Sequence, residues 1–264
     1  TIQSVLQQYP FVICIALLKV ILLVILVEVT DEKVDFDHKY DDLIKILVRF
    51  VAVLFLVTPL FLVISWRGIQ PQLSSKKQLR WIIIIVMVMS IYYVSISKEP
   101  SLTDYYRFGL YVLVTHLVLI VGRYINSSNS IEHFWKYNIT LLIQAIISTI
   151  YTAVLFVGTA IGIYSIQELF GVEENSKIYL HFLVFFATFL HTIFFIRGVE
   201  KKTSTQEDAF SNVLKLLAQY ALLPLVILYA LILYAYALKI VLQWELPNGG
   251  VGYLVISLGV AGIL

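Results

Sequence analysis

Charge is what this sequence has least of. Only 14% of its 264 residues are Asp, Glu, Lys or Arg, where an ordinary soluble domain carries about a quarter. So few charges cannot keep a folded surface of this size in water. Cysteine is nearly absent too: the single Cys14 excludes an internal disulfide framework and a thiolate metal centre. A formal net charge of +2 with no long basic run argues against a nucleic-acid partner and against a strong anionic-lipid patch. Also missing are G-x-S-x-G, H-E-x-x-H, a P-loop and a dinucleotide fingerprint. An enzyme here would rest on a constellation outside those motifs, and no cofactor or metal is expected.

What is present is hydrocarbon. Hydrophobic residues make up 60% of the chain and the mean hydropathy is +0.89. Apolar runs near or above about 17 residues recur, the length that a ~30 Å hydrocarbon core demands of a helix. A cleavable signal peptide would explain only the first run, and an outer-membrane barrel would show short alternating segments of about ten residues. Helices satisfy their own backbone groups in lipid, so long uninterrupted runs are the expected form. The fold class is all-α: a polytopic transmembrane helical bundle, read as one domain over 1–264.

Runs bounded by charges, Pro and Gly give eight segments with cores at 11–27, 50–66, 81–96, 108–122, 139–164, 178–196, 224–242 and 251–264. Polar stretches over 131–138 and 206–220 read as interfacial lead-in helices to the fifth and seventh spans. The chain opens at Thr1 and closes at Leu264 inside an apolar run, and the expectation is a piece of a longer protein.

Orientation follows the distribution of Lys and Arg. Arg67, Lys76, Lys77 and Arg80 lie between spans two and three, and Arg197, Lys201, Lys202 and Lys215 between six and seven. These connections belong in the cytoplasm. The links after spans one and five are acidic, with Asp31, Glu32, Asp35, Asp37, Asp41 and Asp42 in the first and Glu173 and Glu174 in the second. They face outward, which puts the N-terminus in the cytoplasm of a bacterial inner membrane. Lys45 and Arg49 run against the rule and have acids nearby to pair with. Trp66, Trp81, Trp135, Tyr164, Tyr179 and Trp244 sit at span ends, at headgroup depth.

Lys19 is the most unusual position, midway along the first run. A lysine there costs about 2.5–3.5 kcal/mol on insertion scales, so it should face protein or water. It is either a proton or anion site or a structural charge that snorkels or pairs. His116 is central in span four and His191 lies within span six; each is either a proton relay or a hydrogen-bonded packing residue. Gln144, Ser148 and Thr152 form a polar row in span five. Gly158 and Gly162 form a G-x-x-x-G, and Ala145, Thr149 and Ala153 a small-residue row, both suited to close helix packing. The acidic stretch 35–42 lacks the glycine turn and ligand spacing of an EF-hand and reads as a solvated loop. The candidate intramembrane polar residues are therefore Lys19, His116, His191 and Gln144.

Three stretches carry a resemblance: Phe134-Trp135-Lys136-Tyr137-Asn138, Gln219-Tyr220-Ala221-Leu222-Leu223-Pro224 with the Tyr-rich span that follows, and Lys239-Ile240 through Trp244-Glu245-Leu246-Pro247-Asn248-Gly249-Gly250-Val251-Gly252-Tyr253. Together they resemble the bacterial membrane-protein family known as domain-of-unknown-function family 4153, with Gly250 standing where that pattern has Trp. The resemblance implies a polytopic inner-membrane protein and no activity, cofactor or catalytic residue. Expected partners are membrane lipids, other membrane proteins or a second copy. The function class favoured is a non-catalytic binding, transport-like or assembly protein, with a membrane-embedded enzyme acting on a lipid-linked substrate, its catalytic groups outside this segment, as the alternative.

Overall fold

A computed structural model describes residues 9–31, 41–65, 75–97, 101–122, 131–173, 175–201 and 222–243, together with 256 and 259. Among these residues every regular element is helical. In order they are α1 (Pro10–Asp31), α2 (Asp41–Ser65), α3 (Ser75–Ser95), α4 (Leu102–Gly122), α5 (Ile131–Phe170), α6 (Ser176–Val184), a π-helical stretch (Phe185–Leu190), α7 (His191–Lys201) and α8 (Leu223–Gln243). α6, the π stretch and α7 run on as one rod.

Among the described residues six helices are long and apolar enough to cross a membrane, and the apolar part of α3, Leu79–Ser95, is shorter. The eighth run, 251–264, lies outside the described residues except for 256 and 259, as does the lead-in over 206–220. The other lead-in is corrected. Residues 131–138 are not a separate surface helix but the opening of α5, which is continuous for 40 residues, about 60 Å at 1.5 Å per residue. Polar residues there stay within helical geometry. Glu132 and Lys136 pair at 2.8 Å one turn apart, and Asn138 Nδ2 donates to the Phe134 carbonyl at 3.1 Å. Nothing breaks the ladder, so the rod continues out of the apolar stretch.

Helix ends carry the chemistry their sequences provide. Asp104 reaches back to the Ser101 N–H at 3.0 Å and accepts from its hydroxyl at 2.9 Å, opening α4 with part of a capping box. Asn175 caps α6 by accepting from the Lys177 N–H at 3.0 Å. α5 stops at Gly171, whose φ of 65° suits a left-handed C-cap, and the Val172 N–H returns to the Gln167 carbonyl at 3.2 Å. That is the Schellman arrangement.

The chain divides into two compact units, Thr1–Ile143 and Gln144–Leu264, and the division falls inside α5. In the first, α1 packs on α2, and α2 on α3 and α4. Phe11 meets Phe61 at 6.5 Å and Lys19 meets Phe55, so α1 and α2 run antiparallel. Phe50 packs on Tyr93 at 4.9 Å, Tyr92 on Tyr111 at 5.0 Å, and a Cβ on Gly122 would meet Val63 Cγ1 at 2.9 Å.

In the second unit, α8 lies along the later part of α5 in the same direction. A Cβ on Gly158 would collide with the Leu225 side chain, its Cδ2 at 2.6 Å, and one on Gly162 would meet Leu228 Cδ2 at 3.2 Å. Further along, Leu169 shares an apolar cluster with Tyr229, Ile232 and Tyr236. The α6–α7 rod runs antiparallel to α5: Leu155 packs with Phe186, Tyr151 with Phe194 at 5.8 Å, and Gln144 lies against Gly198.

Candidate functional site

Two places hold polar groups inside apolar helices. The first is Lys19. Tyr9, Val12, Ile13, Ala16 and Lys19 form the buried stripe of α1, at three- and four-residue steps that keep them on one helical face. Lys19 is 4% exposed, and its Nζ lies 4.9 Å from the centre of the Phe55 ring. A cation over an aromatic face is attracted by the ring quadrupole. Four residues beyond Phe55 is Pro59, buried within α2, which has no N–H to give the Phe55 carbonyl. The neighbouring Thr58 hydroxyl is spent on the Leu54 carbonyl at 2.7 Å. Among the described residues, Lys19 has no hydrogen bond and no carboxylate partner within ion-pair distance; the Phe55 ring is its contact.

The second place is a seam between α5 and the α6–α7 rod. Gln144, Ser148 and Thr152 recur every four residues on α5 and are buried, Ser148 most deeply at 1% exposure. Opposite them, His191 Nε2 lies 3.1 Å from Ser148 Oγ and 3.3 Å from Thr149 Oγ1. Both hydroxyls also reach the Ala145 carbonyl, at 3.0 Å and 2.8 Å. A hydroxyl has one proton to give. With both protons on Ala145, the arrangement that satisfies all four contacts places a hydrogen on Nε2 and has the imidazole donate to the two oxygens.

The π stretch determines where His191 falls. The His191 N–H bonds to the Phe186 carbonyl, five residues back, so one extra residue is accommodated immediately before the imidazole. Such bulges recur at functional sites. Thr188 donates to the Val184 carbonyl at 2.7 Å and Thr192 to the Thr188 carbonyl at 2.6 Å, which gives carbonyls in this irregular stretch a donor. At the other end of the seam the Gln144 amide occupies the notch at Gly198; a Cβ there would clash with the Gln144 amide, its Cδ at 2.7 Å.

Gln144 and His191 belong to the same seam in the second unit. Lys19 and His116 belong to the first, where no described contact joins them. His116 is exposed on α4, and its Nδ1 bonds to the Val112 carbonyl of its own helix at 2.7 Å. Gly158 and Gly162 sit under α8, away from the His191 contacts. Among the described residues no group of three or more His, Cys, Asp or Glu side chains could hold a metal ion. Reading the sequence missed Gly198 as a seam residue, and it carried no signal for the π stretch.

Helices of this length and apolarity mark a multi-spanning helical membrane protein. Residues 12–257 match the family described as "Domain of unknown function (DUF4153)", and the chain belongs to that family. It is also similar to an uncharacterized protein, PM1469, of Pasteurella multocida (strain Pm70), 28% identical over 174 residues. That match covers 65% of this chain and 29% of the relative, so the chain spans less than a third of the relative's length. No solved structure matches it.

Proposed function

We propose that the chain is a multi-pass protein of the bacterial inner membrane, with its N-terminus in the cytoplasm and about eight crossings, and that it works without catalysis as a binding, transport-like or assembly bundle. The Lys and Arg of the 67–80 and 197–215 connections and the acids of the 28–42 and 168–177 connections support the orientation. A bacterial relative supports the setting. Lipids, other membrane proteins or a second copy are the partners this reading implies.

The observation that carries the reading is the wiring of Ser148 and His191. At 3.1 Å they have the spacing of a nucleophile and its base, and that spacing favours the alternative, an enzyme acting on a lipid-linked substrate. A base must accept the hydroxyl proton. Donation of the Ser148 proton to the Ala145 carbonyl at 3.0 Å leaves the imidazole to donate, and an Nε2 bearing hydrogen has no lone pair to receive a proton. The seam then joins helices and positions a polar group.

Treatment of the full chain in lipid nanodiscs with a fluorophosphonate, which reacts with activated serines, tests this. The expected result is no adduct on Ser148. An adduct on Ser148 that disappears in His191→Ala would replace the binding reading by the enzymatic one.

A further inference from the structure

We propose that Lys19 marks an intramembrane binding site for one small monovalent anion, of chloride size, between α1 and α2. The seam residues and the reading built on them play no part in it. The first step is that Lys19 carries its proton. Its ammonium nitrogen is seated over the Phe55 ring at 4.9 Å, and the attraction of a ring face is for a cation. A neutral amine gains little from that position.

The second step is charge balance. The ring supplies a quadrupole, worth about 0.5–2 kcal/mol, and the Phe55 carbonyl left without a helical donor by Pro59 supplies a dipole. Neither is a countercharge. A buried ion is tolerated where it is paired. Among the described residues no Asp or Glu pairs with Lys19, and nothing else there accepts from its N–H groups. With the residue 4% exposed, bulk water does not hydrate it either.

The third step is the class of ligand. One unpaired positive charge calls for one negative charge, which makes the ligand monovalent. Ala16 shares the buried face of α1 with Lys19, and Leu56, Val57 and Pro59, near Phe55 in α2, are buried as well. These residues are small or aliphatic and their side chains carry no donors to organise a polyatomic oxyanion. A compact anion satisfied by an ammonium alone fits them best.

The test uses the purified full chain in nanodiscs at constant ionic strength and pH, with gluconate as the bulky reference anion. Thermal unfolding is followed as chloride replaces gluconate, with acetate as a parallel arm. We expect the midpoint to rise by several degrees and to saturate with chloride, the rise to vanish in Lys19→Met, and Lys19→Arg to retain it. A matching response to acetate supports a site selected by charge, and a response to chloride alone supports one selected by size. A flat wild-type response, or an equal rise in wild type and Lys19→Met, overturns the proposal. Should Lys19→Met not fold, chloride-35 line broadening on the wild type decides: saturable broadening supports the site, and broadening strictly proportional to protein and chloride overturns it.

Discussion

The Tyr229 hydroxyl donates to the Gly158 carbonyl at 2.7 Å, across 71 residues of sequence. It does so because Gly158 has no side chain: Leu225 occupies that space, and the Tyr229 ring continues along the same groove past Gly162. In an apolar solvent no hydrophobic force draws two helices together, so close backbone approach and an interhelical hydrogen bond are what hold α8 to α5.

Gly158→Leu should therefore destabilise by overpacking, by about 1–3 kcal/mol, and lower the unfolding midpoint in detergent. Gly109→Ala is the control, since a Cβ there has nothing within 4 Å. Replacing that helical glycine should leave stability unchanged or raise it by up to about 1 kcal/mol. Equal midpoints for the two variants would sink the packing account.

Tyr229→Phe keeps the ring and removes the donor. The expected loss is about 0.6 kcal/mol, and below about 1.7 kcal/mol, the range found for interhelical hydrogen bonds in membranes. Unfolding in mixed micelles measures it. A loss above that range would mean that the hydroxyl does more than join α8 to α5.

Lys239 closes the other end of the same pair. Its Nζ donates to the Leu169 carbonyl at 2.9 Å and lies 5.4 Å from the Phe170 ring centre, capping the C-terminus of α5 where cations are favoured. Lys239→Met should cost about 1 kcal/mol and raise amide exchange in the last turn of α5. Gly171→Ala, at a φ of 65°, should cost a similar ~1 kcal/mol. Unaltered exchange in both variants would mean that this end needs no cap.

At the seam, Ser148→Ala, His191→Phe and the double variant form a cycle. A coupling of about 0.5–1.5 kcal/mol is expected from unfolding measurements, because each single change removes the contact between the two side chains. A coupling near zero would show that the 3.1 Å approach contributes nothing.

Orientation is open to accessibility labelling. In a Cys14→Ser background, single cysteines at Lys76 and Asp37 should react from opposite faces of the membrane. Reaction of both from the same face would overturn the arrangement inferred from the basic connections.

By itself the sequence determined the class of protein, the helical content and most of the spans, because lipid permits few other ways to satisfy a backbone across runs of this length. It also determined that Lys19 would avoid acyl chains, since an ammonium at that depth has the largest penalty of any group in the run. It did not determine that His116 would lie on the exposed side of α4. An imidazole can spend one nitrogen on its own helix, as His116 does on the Val112 carbonyl, and so need not turn inward. Nor could it separate the polar opening of α5 from a surface helix, since both are the same string of charged and aromatic residues.

Only the tertiary structure decided which faces meet: Gly158 with Leu225, Gln144 with Gly198, His191 with Ser148. In a soluble protein the buried face of a helix is written as an apolar stripe. In a membrane the lipid-facing side is as apolar as the packed side, so that periodicity fades and partners become visible only where backbones approach or where a polar group finds another. The π stretch was hidden for a related reason. Phe185-Phe186-Ala187-Thr188-Phe189-Leu190 is compatible with an ordinary α-helix, and what the extra residue does shows only where His191 meets Ser148 on α5.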